Sequence, residues 1–96
     1  MNDVTIRIYF RSPDGAVEDG QHDFDFSSFG GVLPSIGDCI LNPGVIHGRD
    51  RREPANREIW TVVGRVFNPK DNEDYIALIV EERAPTSQEY SLLPSK

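Results

Sequence analysis

EIWTVVGRVFNPKDNEDYIALIVEER, residues 58–83, decides how this chain folds. Two apolar runs rich in β-branched and aromatic residues, 58–67 and 75–83, flank the segment Asn68-Pro69-Lys70-Asp71-Asn72-Glu73-Asp74. That segment is made of turn-forming and charged residues, so the stretch predicts two strands joined as an antiparallel hairpin. Alternation places Trp60, Val62, Gly64 and Val66 on one face and Ile59, Val63 and Phe67 on the other, both largely apolar. A strand wanted on both sides, with a glycine midway, suits a strongly bent member of a small barrel. In the second run Ile76, Leu78 and Val80 oppose Ala77 and Ile79, again more than half buried.

Outward from the hairpin, residues 4–11 alternate cleanly, with Val4, Ile6, Ile8 and Phe10 against Thr5, Arg7, Tyr9 and Arg11. Period two predicts a half-buried strand. Ser12-Pro13-Asp14-Gly15 follows as a turn, because proline presets one turn dihedral and glycine permits a positive φ. A second strand is expected between residues 16 and 26: Val17 opens it, and Phe24 and Phe26 alternate with Asp23 and Asp25. Glu18-Asp19-Gly20 interrupts it as a bulge or a second turn. Residues 27–34 read as a loop carrying Phe29, Val32 and Leu33 as core plugs. A third strand is expected at about residues 38–41, entered through Leu33-Pro34-Ser35-Ile36-Gly37-Asp38 and closed by Asn42-Pro43-Gly44. Val45 and Ile46 would start the return, and residues 47–57 form a long exposed loop.

In the tail, 84–96, Thr86 and Glu89 match a capping box, which predicts one short helical turn through 90–93. The other reading is an extended tail with Tyr90, Leu92 and Leu93 packed on the sheet. Five short strands with tight turns and almost no helix predict an all-β fold. Its expected form is a small five-stranded antiparallel barrel, residues 1–96 as one domain.

Composition agrees with one small domain. The chain has 96 residues, and 10 Lys+Arg against 16 Asp+Glu leave a net charge of −6. A chain of this length buries about 65% of its unfolded surface, enough for one core. A hydrophobic content of 38% speaks against disorder. The longest uncharged apolar run, 75–80, is far short of the roughly 20 residues that span a bilayer. Cys39, the single cysteine, cannot make an internal disulfide, and the N-terminus lacks the basic head and apolar block of a signal peptide, so a cytoplasmic location is expected. A net negative chain is repelled by phosphate backbones and anionic lipid, which disfavours general nucleic-acid or membrane binding.

The runs LPSIGDCIL, REIWTVVGRVFNP and YIALIVEER resemble the second half of small bacterial and phage-type single-domain proteins with an Sm-like or Src-homology-3-like barrel. In those a Pro-x-x-Gly-Asp entry precedes one strand, and a W-x-V-x-x-R-x-F strand pairs with a final L-x-V strand. The resemblance covers about half the chain and implies a barrel scaffold, often with no assigned activity. It does not extend to the asparagine-containing base-binding loop of RNA-binding Sm proteins.

No pattern specifies catalysis, a cofactor or a metal. Cys39 with His22 or His47 as base has no hydrolase spacing around it, and a strand cysteine reads as a small hydrophobe with nothing basic adjoining it. His22, Asp23, Asp25, Asp38 and His47 match no closed zinc spacing. Residues 71–74 lack the glycine and distal glutamate of a calcium loop, and Gly30-Gly31 is followed by no phosphate-loop lysine. Glu81 and Glu82 point to opposite faces of their strand, so they form no acid/base pair.

The most informative segment is His47-Gly48-Arg49-Asp50-Arg51-Arg52-Glu53-Pro54-Ala55-Asn56-Arg57. From 49 to 57, four arginines against two acids give +2, and −6 less +2 leaves −8 for the rest of the chain. Arg49, Arg51, Arg52 and Arg57 could grip carboxylates or phosphates through bidentate guanidinium contacts, or meet the acidic face of another copy. Alternatively their charges pair among themselves in solvent. Together with the aromatics Tyr9 and Phe29, this loop predicts a non-enzymatic binding or assembly module whose partner is another protein or a homo-oligomer. The rival reading is single-stranded RNA binding, with the arginines on phosphates and Tyr9 or Phe29 stacking a base.

Overall fold

The computed structural model describes residues 4–45 and 47–93. Five strands, β1 (Thr5–Arg11), β2 (Val17–Asp25), β3 (Cys39–Leu41), β4 (Ile59–Phe67) and β5 (Tyr75–Arg83), form one curled sheet in the order β2-β1-β5-β4-β3. The sheet makes a half-barrel with β2 and β3 as its edges. Among the described residues there is no α-helix, only 3-10 turns at Phe26–Phe29, Pro54–Asn56 and Tyr90–Leu92.

The five expected strands are present, but their pairing is mixed. β1–β2, β3–β4 and β4–β5 run antiparallel, while β1 and β5 run parallel, from Thr5 opposite Tyr75 to Phe10 opposite Val80. Alternation specifies which face of a strand is buried and leaves open which way a distant strand runs beside it. The all-antiparallel expectation fails at that central seam.

The concave face holds the core. Ile6 and Ile8 of β1, Trp60 and Val62 of β4, and Ile76, Leu78 and Val80 of β5 are buried together, with Phe10, Phe24, Phe29, Leu33 and Ile40 packed against them. Trp60 is fully buried, its ring centroid 5.5 Å from Phe10, 5.3 Å from His22 and 6.3 Å from Phe24. Of the expected plugs Phe29 and Leu33 enter the core, whereas Val32 stays 68% exposed.

Two bulges shape the sheet. Ile8 faces His22 and Tyr9 faces Asp19, so Gly20 and Gln21 are extra residues in β2. Gly20 is required there: a Cβ on it would lie 2.8 Å from the Ile8 carbonyl oxygen and 2.7 Å from the Phe10 ring. In β4, Val62 faces Val80 but Gly64 faces Ile79, which leaves Val63 unmatched. Beyond that bulge the faces exchange. Val66 pairs with Ala77 on the convex side rather than following Trp60 and Val62 inward, and Phe67 pairs with Ile76.

The turns follow their local chemistry. In the β1–β2 turn Gly15 takes φ 91° and donates its amide to the Ser12 carbonyl at 2.9 Å. Asp14 accepts from the Ser12 hydroxyl and the Ala16 amide, which holds its carboxyl below the ordinary value. Before β3, the Ser35 amide donates to Asp38 Oδ2 at 2.7 Å, and Gly37 and Asp38 already bond to Val62 of β4. The tail is held by Glu89. It pairs bidentately with Arg83 at 2.7 and 2.8 Å and accepts from the Thr86 amide at 2.9 Å, the reaching-back half of the expected capping box. The turn that follows is 3-10, and Leu92 is 76% exposed rather than packed on the sheet. Ile46 and residues 94–96 lie outside the described residues.

Candidate functional site

The β3–β4 connection is built around a buried cation. Arg57 is only 6% exposed, and its guanidinium reaches back under the loop: Nη1 donates to the Arg51 carbonyl at 3.0 Å and Nη2 to the Asn42 carbonyl at 2.9 Å. Its Nε finds no acceptor, and no carboxylate pairs with it among the described residues. Burial, and then the positive charge of Arg51, hold its pKa below the usual guanidinium range. Of the four arginines singled out from sequence, Arg57 is the one turned inward, so its part is to fasten the loop.

Above that anchor the loop is ordered by its own polar groups. Asp50 accepts from the Arg52 amide at 2.9 Å, Asn56 Nδ2 donates to the Asp50 carbonyl at 3.0 Å, and Pro54 starts the 3-10 turn whose closing amide is Arg57. The Asp50 carboxylate is therefore engaged by backbone. Arg49, Arg51 and Arg52 are exposed, and none of them makes an ion pair among the described residues, where only Arg7, Arg11 and Arg83 do. The alternative in which the loop's charges neutralise one another is not the arrangement found.

The two aromatics named from sequence sit apart. Phe29 belongs to the concave core, 5.6 Å from Phe24. Tyr9 lies on the convex face, where its hydroxyl is 2.6 Å from that of Tyr75. Burial and that hydroxyl contact push the Tyr75 phenol up to about 12. These two tyrosines, with Val17, Val66, Ala77 and Ile79, line an apolar groove of about 340 Å³. Sequence reading missed the groove because the β4 bulge brings Val66 to this side. The only available signal was Gly64 inside a strand pattern.

Cys39 is exposed, and Arg83 Nη2 lies 3.8 Å from its sulfur, so the expectation of a packed cysteine with nothing basic beside it is overturned by the β3–β4–β5 pairing. His22 faces the core beside Trp60, Asp23 bonds Arg7 on the other face, and Asp38 caps the turn before β3. Among the described residues no three His, Cys, Asp or Glu side chains converge as a metal site. No described helix is long and apolar enough to cross a membrane. No family model matches the chain, and no curated protein or solved structure matches it either.

Proposed function

We propose that the protein is a non-enzymatic binding or assembly module that docks an acidic protein surface, another copy of itself included, through Arg49, Arg51 and Arg52. One observation carries this reading: three exposed guanidinium groups stand on a loop fastened by a buried arginine, and no carboxylate neutralises them among the described residues. A fixed loop reduces the ordering cost of association, and guanidinium groups match carboxylates in a planar fork. The −8 carried by the rest of the chain supplies the complementary charge within a second copy. An exposed free cysteine suits a reducing, cytoplasmic setting. The curl of five strands supports kinship with Sm-like or Src-homology-3-like barrels, and the parallel β1–β5 pair weighs against it.

RNA binding is the weaker reading because Phe29 is a core residue and Tyr9 is bonded to Tyr75, so neither stands beside the arginines as a stacking platform. Size-exclusion chromatography with light scattering at two salt concentrations, together with titration of labelled poly-glutamate, tests the proposal. Self-association or poly-glutamate binding that weakens with salt and disappears in Arg51→Ala/Arg52→Ala supports it. A salt-independent monomer that also ignores poly-glutamate overturns it, as does steeply salt-dependent binding of single-stranded RNA through the same arginines.

A further inference from the structure

The loop rises beside a cleft of opposite charge. Glu18 stands opposite Phe10 on the concave side, Glu58 directly precedes β4, and Glu82 stands opposite Trp60. Among the cavities that Glu82 borders are one of about 340 Å³, shared with Phe10, Glu18 and Arg11, and one of about 360 Å³, shared with His22 and Glu58; Arg11 is itself paired with Glu81. None of the three glutamates makes an ion pair among the described residues. Trp60 Nε1 and Asn42 Nδ2 both donate to Glu82 Oε2, at 3.0 and 3.4 Å, which orients the carboxylate while its Oε1 takes neither bond. One ring borders each cavity, Phe10 the first and His22 the second, and both pack on the fully buried Trp60.

Carboxylates with an accessible ring nearby suit a guanidinium group, which pairs in plane with an acid and can lie over a ring. The root of the arginine loop, through Asn42, Gly44, Val45 and Asn56, forms the far wall of the same cleft. The root of the cationic loop and the receptor are therefore adjacent. Within one chain they do not meet, since no loop arginine comes within 4.0 Å of a carboxylate among the described residues. Arg57 fastens the base of the loop to the Arg51 and Asn42 carbonyls, beside the cleft wall.

We infer that the Glu18–Glu58–Glu82 cleft receives the arginine loop of a second copy, so that two chains exchange loops in a reciprocal two-fold contact. This rests on the reading that the loop docks an acidic protein surface, and it names that surface. Reciprocity follows from placement: a projection and its receptor adjacent on one chain make a self-complementary patch, which closes as a dimer.

Sedimentation velocity of charge-exchanged variants tests it. In low salt the wild type sediments as a dimer, while Arg51→Glu/Arg52→Glu and Glu18→Arg/Glu58→Arg each sediment as monomers. An equimolar mixture of the two variants restores a dimer, which also shows that both are folded. Glu82→Gln keeps the acceptor for Trp60 and removes the charge, and it weakens the dimer about tenfold. If the cleft variant dimerises like the wild type while the loop variant does not, the cleft inference is overturned and the loop reading stands. A wild-type monomer that binds poly-glutamate through the loop gives the same division. A wild-type monomer that binds no poly-glutamate overturns both.

Discussion

The arginines of the sheet and those of the β3–β4 loop have opposite fates. On the convex face Arg7 grips Asp19 through Nε and Nη2, at 2.8 and 2.7 Å, and Asp23 through Nη1 at 2.9 Å, while Arg11 pairs with Glu81 at 2.9 Å. The Asp19 carboxylate, more than that of Asp23, holds the Arg7 guanidinium above its ordinary pKa, and Arg7 in turn holds Asp19 low. In the loop, Asp50 and Glu53 lie within a few residues of Arg49, Arg51 and Arg52, and no ion pair forms among the described residues. Closeness in sequence does not decide pairing. Strand register brings acids to the sheet arginines across up to 70 positions, whereas the loop's aspartate is taken by a backbone amide. Paired charges hold the sheet face together, and the loop's charges remain available to a partner.

The largest effect expected is on the sheet. Trp60→Ala removes the largest fully buried side chain and costs about 3–5 kcal/mol, measured by urea unfolding. Gly20→Ala forces a Cβ against the Ile8 carbonyl and the Phe10 ring and costs about 1–3 kcal/mol in the same assay. Arg57→Ala tests the hinge between the two regions. It strands the Arg51 and Asn42 carbonyls, costs about 1–3 kcal/mol, and raises protease cleavage within 48–56 more than global stability alone accounts for. Arg51→Ala/Arg52→Ala shifts stability by less than about 0.5 kcal/mol per residue, because exposed side chains without partners support little of the fold. A larger loss would break the contrast between the regions.

Acid gives the smallest and most local effect. Arg83, and then the Thr86 amide, hold the Glu89 carboxyl at about 2, below its ordinary 4.5. A depressed carboxyl contributes in full above the ordinary value and loses its contribution as pH falls from 4.5 toward 2. Relative to the intrinsic exchange rate at each pH, the Thr86 amide is expected to lose protection over that window while the Leu78 amide does not. Glu89→Ala, which removes the acceptor altogether, is expected to show the lost protection already at neutral pH.

Much of the fold was legible because its determinants are local. Period-two alternation marked β1, β4 and β5 within a residue or so of their ends, and Ser12-Pro13-Asp14-Gly15 and Pro34 to Asp38 carried their turns in their own side chains. The parallel β1–β5 seam was not legible, since it joins strands some 70 residues apart and alternation has no direction. Val66 was assigned the wrong face because one extra residue, Val63, inverts everything after it. At the site the charge of the loop was legible, but the inward turn of Arg57 was not: an arginine that caps backbone carbonyls looks in sequence like one that faces solvent. The acidic cleft was invisible for the same reason as Arg7's partners, because Glu18 and Glu58 are brought to either side of Glu82 only by the pairing and curl of the sheet.

The most direct test is the salt dependence of the self-association constant, measured by sedimentation equilibrium for the wild type and for Arg51→Ala/Arg52→Ala. If the loop arginines are presented for docking, wild-type association falls steadily as salt rises, and the double variant associates weakly with little salt dependence. Self-association that is equal for the two proteins at every salt concentration, with poly-glutamate bound by neither, would contradict the account.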